Sequence, residues 1–358
     1  MPMPRTEIDL RRRRLRSQLL APQAGTALDV VQRLGALQAQ NRASALLAIG
    51  VRARDSTIGD VERLFDDGLA LRSWTMRGTL HVVATPDLPW MLGLTAARQR
   101  AAVAHEARRR GIEGSDFDRA AEIIHRRVVD GGPATRAEAV DALVAAGIDV
   151  GDEQAYRYIR DAALRGLVAW GPMRGRQPLL VTVSPAADLD RDEALGRFIT
   201  TYLAGHGPAT VRDFAWWSGL TLTDARRALL VAGSEIERWN DHDDEPLLIT
   251  ASSTDDTTDD DRRTLRSVPA WDEYVLGYRD RSHVLAPEFA PRVSPSGNGV
   301  FLPTILSDGA VAGTWSYTLA GGELTVASEP FTGLTASEQR RFASSATQVA
   351  RFFGLSVA

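Results

Sequence analysis

A repeat with a period of 75 residues constrains the fold of this chain more than any other feature. The tetrapeptide Gly-Pro-Ala-Thr at residues 132–135 recurs at residues 207–210, an offset of 75 residues. In both copies a helical pattern precedes the tetrapeptide, and Thr135 or Thr210 is well placed to cap a following short helix. Another helical pattern and a β-rich segment with a polar turn come next. Three helices and a β-hairpin make a winged-helix unit.

The N-terminal third follows the same plan. Residues 26–37 and 42–53 have helical periodicity, and residues 57–67 predict a third helix. The stretch LRSWTMRGTLHVVAT, at residues 71–85, then alternates around Arg77-Gly78, which predicts a hairpin with a basic tip. The sequence therefore predicts a third unit of the same kind.

The predicted fold class is α+β, with three tandem winged-helix units followed by a C-terminal β-rich, barrel-like region. We place the units at residues 1–110, 111–185 and 186–262, and the C-terminal region at 263–358. Within that region, residues 267–328 are rich in β-branched and aromatic residues with Gly and Pro breaks, and residues 335–353 predict a closing helix.

The charges are compatible with DNA binding although the net charge is −4. Nine acids are concentrated in residues 241–245 and 255–261, so the rest of the chain carries a net charge of +5. We expect the two acidic runs to form solvated loops that face away from DNA. All 42 basic residues are Arg, whose planar guanidinium suits phosphate and guanine edges. The run Arg11–Arg14 is expected to form one solvated helix face.

Several function classes lack support in the sequence. The chain has no Cys, and its six His show no metal-ligand spacing. It contains no GxSxG elbow, P-loop or GxGxxG motif. No stretch approaches the roughly 18 apolar residues that a membrane span needs. We therefore expect a cytoplasmic protein that needs no cofactor or metal and does not bind a membrane.

The candidate chemistry lies in the short segment between the first two helical patterns of the N-terminal unit. Asn41 is a plausible N-cap for the helix that begins at Arg42, which leaves Gln38 and Gln40 in an extended linker. Positions two apart in an extended chain share one side, so the two amides are expected to project together. Alternatively, both glutamines simply hydrogen-bond the backbone between the helices.

Three stretches in order resemble the AlkZ-like family of tandem winged-helix DNA glycosylases. They are QAQN at residues 38–41, WTMRGTLHVV at 74–83 and WDEYVLGYRDRS at 271–282, and their spacing matches nearly the whole chain. The resemblance implies that Gln38 and Gln40 are catalytic. Many relatives have Asp where this chain has Asn41, which supplies no carboxylate.

The resemblance also implies a substrate. It would be double-stranded DNA with bulky N7-alkylguanine adducts or interstrand crosslinks, and the excision would leave an abasic site. Members of the family are often associated with self-resistance to a DNA-alkylating natural product. We expect a monomer. The alternative from another class is a non-catalytic winged-helix regulator, which three tandem units in one chain disfavour.

Four further residues are candidates for DNA contacts, namely Arg77, His81, Arg174 and Arg176. For Arg77 the alternative is a solvated turn, and for His81 it is a place in the core. Five residues of the third stretch are expected to hold the β region onto the winged helices through packing and ion pairs: Trp271, Asp272, Tyr274, Arg279 and Arg281. Asp272 and His81 are the reserve candidates for a catalytic role.

Overall fold

A computed structural model describes residues 6–109, 114–151, 153–185, 189–240, 245–253, 264–297 and 299–357, without the side chain of residue 107. Helices and strands both contribute along the described chain, which confirms a mixed α and β protein. The acidic runs lie outside the described residues except for Glu245, so the expectation that they face away from DNA stays a prediction.

The N-terminal segment is a set of helices around a hairpin. Its elements are α1 (Glu7–Ser17), α2 (Ala27–Leu34), β1 (Leu37–Gln38), α3 (Arg42–Gly50), α4 (Ile58–Asp66), β2 (Ala70–Met76), β3 (Thr79–Ala84) and α5 (Leu88–Arg109). The predicted hairpin is confirmed, since Arg77 and Gly78 form its turn with φ of 49° and 75°. The helix predicted over residues 26–37 was wrong at its end. It stops at Leu34 because Gly35, with φ of 71°, caps it.

The two repeat copies fold alike. The first contains α6 (Gly114–Gly131), β4 (Ala134–Thr135), α7 (Arg136–Ala145), α8 (Gln154–Leu164), β5 (Val168–Arg174) and β6 (Gln177–Thr182). The second contains α9 (Arg191–His206), α10 (Val211–Ser218), α11 (Leu222–Ala232), β7 (Ile236–Arg238) and β8 (Leu248–Thr250). Thr135 and Thr210 each form a capping box, with Glu138 and Asp213 respectively, which confirms both predicted caps.

One sheet joins the hairpin of the N-terminal segment to the hairpin of the first repeat copy. Its strand order is β1-β3-β2-β5-β6-β4, and the strands of the two hairpins meet where Arg72 of β2 pairs with Trp170 of β5. The repeat alone did not predict this shared sheet. It fixes the N-terminal hairpin rigidly beside the hairpin of the next segment.

The C-terminal region is β-rich, as predicted. It contains β9 (Leu265–Val268), α12 (Glu273–Leu276), α13 (Ala290–Val293), β10 (Thr304–Ser307), β11 (Ala310–Ala320), β12 (Glu323–Pro330), α14 (Ala336–Phe352) and β13 (Ser356–Val357). Its five strands form one sheet in the order β13-β12-β11-β10-β9. The closing helix predicted over 335–353 is confirmed as α14, which Thr335 caps.

The C-terminal region shares a hydrophobic core with the N-terminal segment. That core contains Leu47 and Phe65 from the first segment together with Tyr274, Trp315 and Phe352 from the last. A second core joins α5 to the two repeat copies. The two ends of the chain are therefore packed together, and this contact determines where the segment around Gln38 lies.

The expectation of a solvated face at Arg11–Arg14 was wrong for Arg14. This side chain is fully buried, and its guanidinium lies 3.8 Å from the ring centroid of Tyr278. Its Nε donates to the carbonyl of Pro208 at 3.0 Å. The helix α1 therefore uses one of its cations to attach to the second repeat copy. An aromatic face and a carbonyl compensate part of the lost hydration, while Nη1 has no partner among the described residues.

Helices α2 and α9 approach so closely at Gly205 that a side chain does not fit. A Cβ on this residue would lie 2.9 Å from Cα of Leu34. We expect Gly205→Ala to lower the free energy of unfolding by about 1–3 kcal/mol through overpacking. Gly93→Ala, in α5, is the control: a Cβ there meets nothing within 4 Å, so the variant should gain about 0.5–1 kcal/mol. Urea unfolding measures both, and equal effects would contradict the close contact.

Candidate catalytic and DNA-binding site

The segment that carries the two candidate glutamines is extended at Gln38, as predicted, and bends at Gln40. In the pairing of β1 with β3, Gln38 lies opposite His81. Just beyond, the backbone of Ala39 donates to the carbonyl of Leu80 at 2.7 Å and accepts from Nε of Arg72 at 2.8 Å. Asn41 caps α3 by accepting from the backbone N–H of Ser44, which confirms the predicted cap. The segment is thus held from both sides through its backbone.

The two glutamine side chains have different surroundings. Oε1 of Gln38 is buried and has no hydrogen-bond partner among the described residues. Gln40 is exposed, and its Oε1 accepts a long bond of 3.4 Å from the backbone N–H of Leu80. The alternative was that both glutamines hydrogen-bond the backbone. The Oε1 of Gln40 does so, and the Oε1 of Gln38 does not bond to any described residue. An unpaired buried carbonyl oxygen is rare and invites a donor such as water.

Glu273 binds the backbone of strand β1 through its carboxylate. It is the N-terminal residue of α12 and is fully buried. Its Oε1 accepts from the backbone N–H of Gln38 at 3.0 Å, and its Oε2 accepts from Nε1 of Trp217 at 3.0 Å. Nε2 of His206 lies 3.4 Å from the same Oε2. A single carboxylate therefore links the candidate catalytic strand to α9 and α10, two helices of the second repeat copy.

The carboxylate of Glu273 is ionised in this network. Burial opposes its charge, but the hydrogen bond and the charge of His206, together with the Arg77 cation, lower its pKa to about 2. Its oxygens are already engaged by the three donors, so Glu273 is placed to position Gln38 rather than to react. The sequence stretch WDEYVLGYRDRS contained this residue, but no local signal distinguished it from its neighbours.

Asp272 is tied into a separate buried ion pair. Its two oxygens accept from Nη1 and Nη2 of Arg52, each at 2.7 Å, and Arg52 also donates to Gln18. Asp272 caps α12 as well, through the backbone N–H of Tyr274. These bonds agree with the expectation that this stretch holds the β region in place. They leave Asp272 poorly placed to serve as a catalytic carboxylate.

His81 lies inside the protein. The ring is fully buried, and its Nδ1 is 3.0 Å from Oγ1 of Thr75. Burial, followed by the positive charge of Arg77, lowers its pKa to about 3, so the ring is neutral at physiological pH. The side chain has no exposed surface for the predicted DNA contact, and it occupies the core position that the sequence left open as the alternative.

Arg77, at the hairpin tip, does not form the solvated turn that was the alternative for it. Its guanidinium lies 4.7 Å from the ring centroid of Trp216, and the guanidinium of Arg281 lies 4.9 Å from the same ring. Burial lowers the pKa of Arg77, and the charge of Glu273 partly offsets this effect. Nη1 of Arg77 is buried with no partner among the described residues. The tip is therefore a compact cationic element packed against α10.

The other two predicted DNA-binding residues flank the tip of the second hairpin. Arg174 is half-exposed and binds Glu138, with 3.0 Å between Nη1 and Oε1. It also donates to the carbonyl of Pro133 at 3.0 Å. Arg176 is exposed in the turn. The structure does not bring Arg174 and Arg176 into contact with the glutamines, so any shared function would require a ligand that spans both places.

The described residues contain no group of three or more His, Asp or Glu side chains arranged to hold a metal ion. Within the same residues, no helix has the length and apolarity to cross a membrane.

The arrangement around Gln38 consists of neutral amides, a neutral imidazole and carboxylates that are already hydrogen-bonded, with guanidinium groups at its edge. It can orient a water and stabilise a developing positive charge weakly, through dipoles.

Comparisons with known proteins are consistent with this geometry. A family model described as "DNA glycosylase AlkZ-like" matches residues 31–352. A curated relative from Streptomyces sahachiroi, named "Interstrand DNA cross-link repair glycosylase", is 28% identical over 361 residues and covers 96% of this chain and 95% of its own. A solved structure of Streptomyces sahachiroi DNA glycosylase AlkZ superposes with a TM-score of 0.81 at 27% identity, covering 99% of this chain and 100% of that one.

The roles assigned to Asp272 can be separated by stability. We expect Asp272→Asn to lower the free energy of unfolding by about 3–5 kcal/mol, because Arg52 would keep a buried charge without its counterion. Asp118→Asn is the control, since Asp118 pairs with Arg165 at the surface and its loss should cost at most about 1 kcal/mol. Chemical denaturation measures both. Normal stability with lost activity would instead assign Asp272 to catalysis.

The buried neutral His81 should make the protein sensitive to acid. The folded pKa of about 3 lies below the ordinary value of 6.5, so between these values the unfolded chain binds a proton that the folded chain excludes. Stability should therefore fall as the pH drops from 6.5 towards 3, by up to about 1.4 kcal/mol per pH unit from this residue. In His81→Asn this contribution should disappear. Urea unfolding at pH 7, 6 and 5 gives the slope, and an unchanged slope would refute the burial of a neutral ring.

Proposed function

The chain belongs to the AlkZ-like DNA glycosylase family and is therefore a DNA glycosylase, and from this premise we propose that it excises N7-alkylguanine, including bulky adducts and interstrand crosslinks, from double-stranded DNA. An enzyme of this class breaks the N-glycosidic bond and leaves an abasic site. Membership in a family of enzymes disfavours the alternative of a non-catalytic regulator.

Alkylation makes this substrate reactive before the enzyme acts. An N7-alkylguanine is cationic, so when its bond to C1′ breaks, the electron pair goes to the base, which leaves neutral. Water adds to C1′ and releases its proton to solvent. The base needs no general acid, and the protein has to supply position and modest stabilisation of the oxocarbenium-like sugar.

The observation that carries the proposal is the buried Oε1 of Gln38, which has no partner among the described residues. A carbonyl oxygen in this state can accept a hydrogen bond from a water and direct it towards C1′. Its dipole also stabilises positive charge on the sugar. Because Glu273 and the pairing with β3 fix the backbone of Gln38, the strand that carries the amide is held in place before substrate binds.

Gln40 supplies the second amide at the open edge of the site. It is exposed and lies two positions beyond Gln38, where the chain bends. The proposal has both amides project to one side, as positions two apart do in an extended chain. Its long bond to Leu80 can be exchanged for one to water or substrate. An exposed position suits a bulky adduct or a crosslinked base, because such lesions do not enter a closed pocket.

The neutral character of the site limits the substrate range. The carboxylates of Asp272 and Glu273 are engaged by Arg52 and by Gln38, Trp217 and His206, and Asn41 offers an amide instead of an acid. A free carboxylate would stabilise the sugar cation more strongly and act as a general base. Without it, the enzyme should act on bases that are already labile and leave undamaged DNA intact.

We further propose that the chain acts as a monomer with three tandem winged-helix units at 1–110, 111–185 and 186–262 and a C-terminal region at 263–358. In the second and third of these units three helices precede a two-stranded antiparallel element, and in the first unit α2, α3 and α4 do so after the additional helix α1, which supports the assignment. Contacts to DNA are assigned to Arg77, Arg174 and Arg176, and His81 is assigned to the support of the site. Binding is then dominated by phosphate contacts and independent of sequence.

The biological role that fits this substrate is self-resistance to a DNA-alkylating natural product. Support comes from the relative named for repair of interstrand DNA crosslinks. A glycosylase that accelerates the reaction only modestly is sufficient to remove these adducts, because alkylation itself weakens the N-glycosidic bond.

A duplex with one N7-alkylguanine, followed by alkaline cleavage at abasic sites, tests the activity. We expect Gln38→Ala and Gln40→Ala each to lower single-turnover excision by about 10- to 1000-fold, or about 1.4–4 kcal/mol. Affinity for the lesion should barely change, since the amides act on charge that appears in the transition state. Gln32→Ala, in an exposed position of α2, is the matched control and should excise at the wild-type rate.

Two outcomes would contradict the proposal. If both alanine variants fold and excise normally, the segment is a structural linker. If the wild-type protein cleaves no alkylated duplex but protects one defined undamaged sequence at nanomolar concentration, the protein is a regulator.

A further inference from the structure

A basic cavity of about 330 Å³ lies at the tip of the hairpin between β2 and β3. Four parts of the chain meet there: the tip itself, the middle of α5, helix α8 and the end of α10 at Ser218 and Gly219. The cavity is thus built by the N-terminal segment and both repeat copies together. Such a position is stable only if all three are folded and docked.

Three guanidinium groups line the cavity, those of Arg77, Arg98 and Arg160. Among the residues that line it, all of them described, none is a carboxylate. Asp161 follows Arg160 in sequence, but its oxygens bind Arg100 at 3.1 Å and Arg165 at 2.6 Å instead. The charge of Glu273 acts on Arg77 from outside the cavity. Three guanidinium groups with no carboxylate in the cavity lining repel one another, so this arrangement favours an anion from outside the chain.

Two of the three guanidinium groups have a nitrogen atom with no hydrogen-bond partner among the described residues. Nη1 of Arg77 and Nε of Arg160 are buried and make no hydrogen bond to the described residues. Arg160 also lies directly against the tip, since a Cβ on Gly78 would be 2.9 Å from its Nη2. Buried polar atoms are normally satisfied, which makes two orphaned donors in one place notable.

The other polar groups of the cavity are already paired. The backbone N–H of Gly78 donates to Oε1 of Gln99, and the hydroxyl of Ser218 donates to the carbonyl of Phe214. Nη1 of Arg98 donates to the carbonyl of Gly219 at 3.2 Å, which holds this arginine at the rim. The donors left over are cationic and forked, the kind that binds phosphate oxygens best.

We propose that Arg77, Arg98 and Arg160 form a binding site for one phosphodiester of the DNA backbone. This inference rests on the proposed function, because it takes DNA as the ligand, and it adds two residues and a defined place to it. The shared chemistry is a phosphate group, which a free anion could also supply.

The site lies at a short and fixed distance from the candidate catalytic strand. Arg77 is four residues along the hairpin from His81, the residue opposite Gln38, and at about 3.3 Å per residue this separation is at most about 13 Å. Since nucleotides of one strand rise about 3.4 Å each along the duplex, the bound phosphate should lie within about four nucleotides of the excised base.

Replacing single phosphates with uncharged methylphosphonates tests this directly. The duplex carries a tetrahydrofuran abasic-site analogue that sets the register, and affinity is measured by fluorescence anisotropy. Wild-type protein should lose about 10-fold at one position within four nucleotides of the analogue. Arg160→Gln should bind the all-phosphate duplex about 10-fold more weakly and lose nothing further at that position. On undamaged duplex its salt-dependence slope should fall by about 1.

Arg340→Gln is the matched control, because it removes the same charge from an exposed position of α14, outside this cavity. It should show the wild-type methylphosphonate profile. Arg98→Gln, at an exposed position, is the second test variant in case Arg160→Gln does not fold, and it should couple to the same phosphate.

The proposal is overturned if the affinity losses caused by the substitutions and by the methylphosphonates add independently. Arg160→Gln and Arg98→Gln would then lose as much affinity as wild type at every methylphosphonate position. A second result would also overturn it. If inorganic phosphate raises the melting temperature of wild type but not of Arg160→Gln, and the variants keep the full methylphosphonate sensitivity, then the cavity binds a free anion and not the DNA backbone. These measurements need no excision. A protein with the coupling but without activity on N7-alkylguanine would therefore refute the proposed function and leave the phosphate site standing.

Discussion

Two adjacent buried carboxylates hold this structure together at the point where its parts meet. Asp272 faces Arg52 of the N-terminal segment, and Glu273 faces Gln38 of the same segment and Trp217 and His206 of the third. Burying two neighbouring charges is costly unless each is saturated by donors. The donors come from regions more than 50 residues away in sequence, so each carboxylate has its full set of partners only in the assembled molecule. The same contacts that attach the C-terminal region therefore also hold the backbone of the candidate site.

This anchoring acts through the backbone of the candidate catalytic segment and does not use the side chain of Gln38. Glu273 takes the N–H of Gln38, Leu80 pairs with Ala39, and Arg72 binds the carbonyl of Ala39. The Oε1 of Gln38 thus has no hydrogen-bond partner in the part of the chain that the structure describes. A preorganised dipole contributes more to a transition state than one that must first turn. The burial of neutral His81 beside this strand adds rigidity without adding charge.

The local parts of the fold could be predicted from the sequence, and the long-range parts could not. Capping threonines, the hairpin at Arg77-Gly78 and the extended backbone at Gln38 depend on neighbouring residues, and all are present. The burial of Arg14 and the role of Glu273 depend on partners 194 and 235 residues away, which no periodicity records. The sheet shared by two hairpins likewise rests on the pairing of Arg72 with Trp170. Even the end of α2 was missed, because the pattern of apolar residues continues past Gly35.

The distribution of charge in the site follows from what the proposed reaction requires. The proposed phosphate site places guanidinium groups at the hairpin tip, where those of Arg77 and Arg281 lie against the ring of Trp216. The proposed reaction places the amides of Gln38 and Gln40 nearest to C1′, because a cation there would oppose the developing positive charge. A carboxylate there would favour the sugar cation of any nucleotide, damaged or not. With amides the difference between substrates comes from the leaving base, so the lesion itself supplies the selectivity that the protein does not have to build.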